Sequence, residues 1–364
     1  MIDQLLSTPL TELTGVRHPV VQTGMGWVSG PSLVSGTANA GGLGILASAT
    51  MTLPELEQAI IEVKERTDAP FGVNLRADAA DAPARCDLLI EYGVKVASFA
   101  LAPKPELIAR LKEHDIVVIP SVGLPKHALK VESWGADAVM IQGGEGGGHT
   151  GSVPTTLLLP TVLDAVDIPV IAAGGFYDGR GLAAALAYGA AGVGMGTRFL
   201  LTADSRVPEA VKQRYLDAGL DDTVVTKKVD GMPHRMLRTE LVEQVEAGSG
   251  IRRILPTAKR TMEFKRMAGM SWKELAVDGR AMRKEQGRTL GQLALAANTP
   301  MMLKAGLVEG DPSAGVLASG QVVGVINDLP TCEELIDRVV TEAAAALRRA
   351  SGHLGQAKSS RFEP

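Results

Sequence analysis

Eight short apolar runs alternate with amphipathic segments between residue 19 and about residue 200, and this alternation constrains the fold most strongly. Consecutive residues of each run are apolar, so both faces of the predicted strand are apolar. This is typical of parallel strands that helices cover. Eight such units predict an α/β fold, a TIM (β/α)8 barrel, with a doubly wound open sheet as the alternative. The runs are Val20–Gln22, Leu43–Ala47, Phe71–Leu75, Val94–Phe99, Ile116–Pro120, Ala138–Gln142, Val170–Ala173 and Gly192–Met195.

The pattern changes after the eighth run. Residues 205–304 are charged, helical in pattern and rich in Met, so they predict an added helical subdomain on the C-terminal side, as a lid or a subunit contact. Thr331–Arg349 predicts a closing helix, with a threonine N-cap and Glu334 at the capping-box position. The barrel would then consist of residues 1–204 and 305–352, and residues 353–364 predict a flexible tail.

Composition and charge exclude several classes of function. The net charge of −4 and an aromatic content of 4% provide neither a basic field nor stacking platforms for nucleic acid. Cys86 and Cys332 lie far apart and no zinc-ligand spacing occurs, so we expect reduced thiols and no metal site. The N-terminal segment lacks a signal peptide and no apolar run reaches about 18 residues, which predicts a cytoplasmic protein without a membrane span.

Small and polar residues follow the first and third runs, at the edge where such barrels place their active sites. The turn after the first run contains Gln22, Thr23, Gly24 and Met25, and its glycine lets the backbone approach a flat ligand. Asn74 near the end of the third run offers a donor and an acceptor to a heterocycle. Each feature is equally compatible with an ordinary turn or a helix cap.

The sixth run leads into Gln142–Gly151, which holds six glycines in ten residues. Exposed backbone N–H groups in such a turn, including those of Gly147 and Gly148, can bind a ligand oxygen or an anion. His149 lies among these glycines, and an unperturbed histidine titrates near neutrality. A lone histidine is usually structural, but this one has no apolar helical face to pack on. We therefore take His149 as the candidate catalytic acid or base.

Glycine pairs end both the seventh and the eighth runs. Barrels often bind a phosphate at this place, through backbone N–H groups and the start of a short helix. Either pair alone is common, but both at adjacent strand ends indicate a phosphate-bearing cofactor. The residues concerned are Ala173, Gly174, Gly175, Met195, Gly196 and Thr197.

Several familiar cofactor and nucleophile motifs are missing from the sequence. No GxGxxG opens a βα unit with a downstream acid, and there is neither a GxxxxGK[ST] phosphate loop nor a GxSxG elbow. A flavin would supply redox chemistry that these side chains lack.

Taken together, these stretches resemble the nitronate monooxygenase-like flavoproteins. The matching segments are Pro19–Gly26, Gly41–Ala47, Gly72–Leu75, Gly143–Gly151, Pro169–Gly175 and Gly194–Leu200. The resemblance implies a TIM barrel, non-covalent FMN and His149 as the catalytic base. It places Gln22, Thr23, Gly24 and Asn74 at the isoalloxazine ring and Gly174, Gly175, Gly196 and Thr197 at the FMN phosphate. Met25, Gln142, Gly147, Gly148, Ala173 and Met195 complete the expected cofactor-binding set.

Four further segments look closest to an actinobacterial branch of this family, associated with steroid ring C/D degradation: Val20–Thr52, Gln142–Pro160, Val229–Leu241 and Ala296–Gly306. The resemblance implies α,β-dehydrogenation of a hydroxy-methyl-oxo-indane-carboxyl-CoA thioester, with NAD as a candidate electron acceptor. Arg235, Arg238 and Lys259 are then candidates for contacts with CoA phosphates. The alternatives are a nitronate monooxygenase that uses O₂ and a non-catalytic barrel that binds a phosphate ligand. The sequence is compatible with a homo-oligomer and does not give the number of subunits.

Overall fold

The computed structural model describes residues 5–229, 231–248, 262, 290–311 and 313–359. Its eight parallel strands close into a barrel, because the first strand, Val20–Gln22, pairs with both Leu43–Ala47 and Gly192–Met195. The predicted barrel is thereby confirmed. The barrel strands are β1 (Val20–Gln22), β2 (Leu43–Ala47), β3 (Phe71–Arg76), β4 (Val96–Ala100), β5 (Val117–Val122), β6 (Val139–Gln142), β8 (Val170–Ala173) and β9 (Gly192–Met195).

Three strands start later than predicted, and for two of them the reason is local. β4 begins two residues after Val94 and β5 one residue after Ile116, the predicted starts, and β6 begins one residue after Ala138. The Val94 N–H donates to the Leu89 carbonyl at 2.9 Å, and the Ile116 N–H donates to the Leu111 carbonyl at 3.1 Å. Both bonds close the end of the preceding helix, so these apolar residues finish a turn before the strand begins.

Helices alternate with the barrel strands and begin at recognisable caps. Before one of them, the Glu55 carboxylate accepts hydrogen bonds from the Thr52 N–H and hydroxyl, both at 2.8 Å. These helices cover the outside of the sheet, which explains why the strands are apolar on both faces. A first helix, α1 (Pro9–Thr14), precedes β1. The helices that follow it are α2 (Pro31–Asn39), α3 (Leu53–Arg66), α4 (Ala82–Glu91), α5 (Pro105–Lys112), α6 (Pro125–Ser133), α7 (Thr155–Leu163), α8 (Gly179–Tyr188) and α9 (Thr197–Leu200).

The barrel interior is filled by apolar side chains. One buried cluster draws residues from six barrel strands, β1, β2, β4, β5, β6 and β8, and includes Val21, Ile45 and Val96. Layers of side chains from several strands are the expected filling of such a barrel. The interior is therefore a packed core, and ligand binding is confined to its rim.

Residues 205–304 depart from the helical subdomain that the sequence predicted. Their described part contains the helices α10 (Glu209–Leu216), α11 (Glu240–Glu246) and α12 (Leu290–Leu307) and also two strands, β10 (Thr223–Thr226) and β11 (His234–Leu237). β10 consists of threonine and valine, whose branched β-carbons favour extended backbone. β11 also pairs with β7 (Gly148–His149), far away in sequence, and local periodicity cannot reveal such pairing. The rest of the predicted subdomain, 249–261 and 263–289, lies outside the described residues.

The predicted closing helix is present as α13 (Cys332–Ser359). The Glu334 carboxylate accepts from the Thr331 N–H at 2.8 Å, as the capping box requires. The helix packs against α8 and α2 through buried residues that include Leu335 and Val339. It continues to Ser359, past the predicted boundary at residue 352, and residues 360–364 lie outside the described part. The flexibility of residues 353–364 stays a prediction. No helix among the described residues is long and apolar enough to cross a membrane.

Candidate active site

Gln22 ends β1 with its side chain fully buried at the rim. Its Nε2 donates to the Ser29 hydroxyl at 2.8 Å and to the Ile45 carbonyl at 3.3 Å. Its Oε1 is buried without a hydrogen-bond partner among the described residues. Because an unpaired buried acceptor costs about 1–3 kcal/mol, this oxygen indicates a polar ligand at the predicted position.

The turn after β1 lies directly against β3. A β-carbon on Gly24 would fall 2.5 Å from the Asn74 Cβ, so only glycine permits this approach. The Asn74 amide donates to the Ser98 hydroxyl of β4 at 3.3 Å. The two residues that the sequence placed on separate loops therefore form one wall of the site.

The same turn also meets the end of β9. The Thr23 N–H donates to the Met195 carbonyl at 3.2 Å. A β-carbon on Gly196 would lie 3.3 Å from the Thr23 hydroxyl and 3.5 Å from the Met25 sulfur. Met195 itself is 1% exposed and belongs to the core, so its backbone rather than its side chain contributes to the site.

Two glycines after β8 have left-handed backbone, with φ of +94° at Gly174 and +86° at Gly175. Among the described residues, the N–H groups of Gly174, Gly175 and Gly196 have no hydrogen-bond acceptor. The Thr197 hydroxyl accepts from the Gly320 N–H at 2.8 Å and keeps its own proton for donation. Ala173 is buried, and its carbonyl accepts from the Gly143 N–H at 2.9 Å. The predicted phosphate residues are thus brought together with free donors.

The glycine-rich turn after β6 is less open to ligands than its composition suggested. The N–H groups of Gly143, Gly144 and Gly146 donate to the carbonyls of Ala173, Val153 and Gly143. These three amides are therefore already bonded and are not among the exposed N–H groups that the sequence led us to expect for a ligand oxygen or an anion. The Gln142 amide donates to the carbonyls of Gly147 at 3.2 Å and His149 at 3.0 Å, so it orders the turn.

Two charged residues hold the glycine-rich turn to neighbouring elements. The Glu145 carboxylate accepts from the Thr155 N–H at 3.0 Å and hydroxyl at 2.8 Å, at the start of α7. The Arg235 guanidinium donates to the Gly144 carbonyl at 2.9 Å, and burial lowers the pKa of Arg235. Arg235 therefore braces the turn, and its contact with CoA stays a prediction.

The other two predicted CoA contacts are placed differently. The Arg238 Nε is exposed and donates to the Asp221 carbonyl at 3.2 Å. Lys259 lies outside the described residues.

His149 lies on β7, exposed at the rim, directly opposite His234 of β11. The two ring centroids are 4.7 Å apart and the ring planes are inclined by 46°. Sequence reasoning missed His234, although it lies in the Val229–Leu241 stretch that resembled the family branch. The local sequence does not indicate that the strands of His149 and His234, which are far apart in the chain, pair with each other.

A second missed element is the loop before the short 3₁₀ helix Gln321–Val325. Besides the Gly320 contact to Thr197, the Gln321 N–H donates to the Glu145 carbonyl at 2.9 Å. A β-carbon on Gly147 would fall 2.5 Å from the Gly320 nitrogen. This loop therefore joins the glycine-rich turn to the phosphate rim. Among the described residues, no group of three or more His, Cys, Asp or Glu side chains could hold a metal ion.

This chain is similar to one protein family and to several individual proteins. The nitronate monooxygenase family model matches residues 7–342. A (3aS,4S,5R,7aS)-5-hydroxy-7a-methyl-1-oxo-octahydro-1H-indene-4-carboxyl-CoA dehydrogenase from Rhodococcus jostii is 69% identical over 338 residues, 93% of this chain and 96% of the relative. A protein of the same name from Mycobacterium tuberculosis is 67% identical over 349 residues, 95% and 98% of the two chains. Among solved structures, FabK from Thermotoga maritima has a TM-score of 0.76 at 34% identity and covers 95% of this chain and 99% of its own.

Proposed function

The chain belongs to the nitronate monooxygenase family, and from that premise we propose that it is an FMN-dependent oxidoreductase of a hydroindane-carboxyl-CoA thioester. The reaction is dehydrogenation at the α,β position, with His149 as base. The observation that carries the proposal is the 69% identity, over 93% of the chain, to a dehydrogenase named for that substrate. The histidine in a braced glycine turn at the barrel rim supports it.

The hydrogen-bond donors and the glycine-lined wall at the barrel rim fit FMN. The N–H groups of Gly174, Gly175 and Gly196 would hold its phosphate, together with the Thr197 hydroxyl. The buried Gln22 Oε1 and the wall formed by Gly24 and Asn74 would receive the ring system. When bound, FMN supplies a two-electron hydride acceptor, which no side chain of the protein provides.

Dehydrogenation removes a proton from the α-carbon of the thioester and a hydride from its β-carbon, so that a carbon–carbon double bond forms. His149 takes the proton, because its imidazole is exposed at the rim, where the substrate can reach it. The α C–H bond breaks as the new N–H bond forms on the imidazole. From this exposed position the proton can pass on to solvent. General-base help of this kind is worth about 10²–10⁴-fold in rate.

Nitronate oxidation remains the alternative, because the matching family carries that name. With a neutral nitroalkane as substrate, the same His149 would remove the proton next to nitrogen and so form the nitronate, and O₂ would be the electron acceptor. For the thioester reaction we propose NAD as the acceptor and a cytoplasmic location. Both stay predictions.

Anaerobic mixing of the yellow protein with the hydroindane-carboxyl-CoA thioester tests the proposal. We expect the flavin absorbance to bleach and the product to be lighter by two hydrogens. Fast bleaching by propionate-3-nitronate, with none by the thioester, would instead favour the nitronate reaction. A colourless protein that takes up no added FMN would favour a non-catalytic phosphate-binding barrel.

A further inference from the structure

The glycine-rich turn cannot by itself hold the imidazole of His149 in one place. Glycine loses more conformational freedom on folding than any other residue, and Gly146, Gly147 and Gly148 immediately precede the histidine. The histidine side chain is exposed at the rim. A base in such a turn needs support from another part of the chain, because proton transfer depends on a narrow geometry.

That support comes from β11, which pairs antiparallel with β7 so that His234 faces His149. At the next pair, the Thr150 N–H donates to the Pro233 carbonyl at 3.1 Å. Hydrogen-bonded and non-hydrogen-bonded pairs alternate along antiparallel strands, so His149 and His234 form a non-hydrogen-bonded pair. Side chains in such a pair lie on the same face and approach most closely.

His234 is itself fixed by its surroundings. It is 2% exposed, and Met236 and Leu237 of the same strand are also buried. Its neighbour Arg235 donates to the Gly144 carbonyl within the turn. The strand is therefore anchored both in the core and to the turn, and the His234 ring, with its centroid 4.7 Å from that of His149, is a rigid surface.

We infer that His234 is a positioning residue whose buried ring holds the His149 imidazole in the orientation that removes the α-proton. The inference rests on the proposed function, since it assigns no chemistry to His234. Its effect belongs to the rate of proton removal rather than to substrate or FMN binding. Misplacement of a reacting group by about 1 Å can cost on the order of 10²-fold in rate.

The test compares His234→Ala, His234→Phe and the control His114→Ala, an exposed histidine just after α5. Full-length protein with bound FMN is mixed anaerobically with the hydroindane-carboxyl-CoA thioester, unlabelled or deuterated at the α-carbon. We expect His234→Ala to reduce its flavin roughly 10–10²-fold more slowly, with an unchanged apparent Kd for the thioester and a larger deuterium isotope effect. His234→Phe keeps a ring at this place and should recover most of the rate, and the control should match the wild type.

Two results would overturn the inference. One is a wild-type rate for His234→Ala, and the other is a Phe variant as slow as the Ala variant, since a ring alone would then be insufficient. If His234→Ala does not fold, His234→Asn takes its place, and the same comparison with Phe applies. His149→Ala, measured alongside, separates the two proposals. A wild-type rate in that variant contradicts the role of His149, whereas a slow His149→Ala beside an unaffected His234→Ala contradicts only the role of His234.

Discussion

Gly24 lies so close to β3 that a β-carbon would come within 2.5 Å of the Asn74 Cβ. We expect Gly24→Ala to weaken FMN binding by roughly tenfold or more, because overpacking costs about 1–3 kcal/mol. FMN content after purification and a fluorescence titration of the apoprotein measure the effect. Gly30→Ala is the matched control, since nothing lies within 4 Å of its added β-carbon. Equal FMN affinity in both variants would contradict the placement of the ring at this wall.

Both thiols are buried and free, as the sequence predicted. Burial raises the pKa of Cys86 to about 11 and that of Cys332 to about 12. Since the thiolate is the reactive form, we expect neither to react with a disulfide reagent in the native protein near neutral pH. Both should react at once in denaturant. Rapid labelling of one thiol in the native state would show that its helix opens locally.

Asp328 joins α9 to α13 by accepting hydrogen bonds from Arg198 at 2.7 Å and Arg338 at 2.6 Å. Burial opposes ionisation of the carboxyl, but the bonds from Arg338 and Arg198 outweigh it and hold the pKa of Asp328 below its usual range. Arg198 is 2% exposed and immediately follows Thr197. The two contacts of Asp328 therefore hold the short helix α9, at the phosphate rim, to the closing helix α13.

Asp328→Asn is expected to lower the free energy of unfolding by roughly 1–2 kcal/mol at neutral pH, after allowance for the partial exposure of the carboxyl. A depressed carboxyl pKa contributes stability above the unfolded-state pKa, about 3.9, and loses it as pH falls through the lower folded-state value. The difference between the two proteins should therefore be constant above about pH 5 and shrink below about pH 4. Denaturant unfolding across this range measures it.

The exposed Asp87, which pairs with Arg110, offers a control for this ion pair. Asp87→Asn should cost less than about 0.5 kcal/mol, because solvent screens exposed pairs. An equal loss of stability in the two variants would mean that burial of Arg198 adds nothing to the contact.

At the scale of the whole molecule, FMN should stabilise the fold by mass action. Free FMN at about 100 times its Kd raises the free energy of unfolding by about 2.7 kcal/mol. Removal of FMN should therefore lower Tm, and its return should restore Tm with a logarithmic dependence on concentration. Thermal melts of the apoprotein at increasing FMN measure this. A Tm that does not depend on FMN would argue that the rim binds another ligand.

Local patterns predicted most of the barrel but not the sheet that crosses its rim. The eight apolar runs became eight strands because each is buried on both faces, and Thr331 with Glu334 marked the start of the closing helix. Strand pairing between β7 and β11 joins residues about 85 positions apart, which periodicity cannot encode. Composition likewise showed the glycines near His149, but not that three of their amides are already bonded.

The rate of flavin reduction in His149→Ala tests whether the His149 imidazole removes the α-proton. Wild type and variant, each with full FMN, are mixed anaerobically with the hydroindane-carboxyl-CoA thioester, and the loss of flavin absorbance is followed in time. We expect the variant to keep its FMN and bind the thioester, but to bleach about 10²–10⁴-fold more slowly. Bleaching at the wild-type rate would contradict this role of His149.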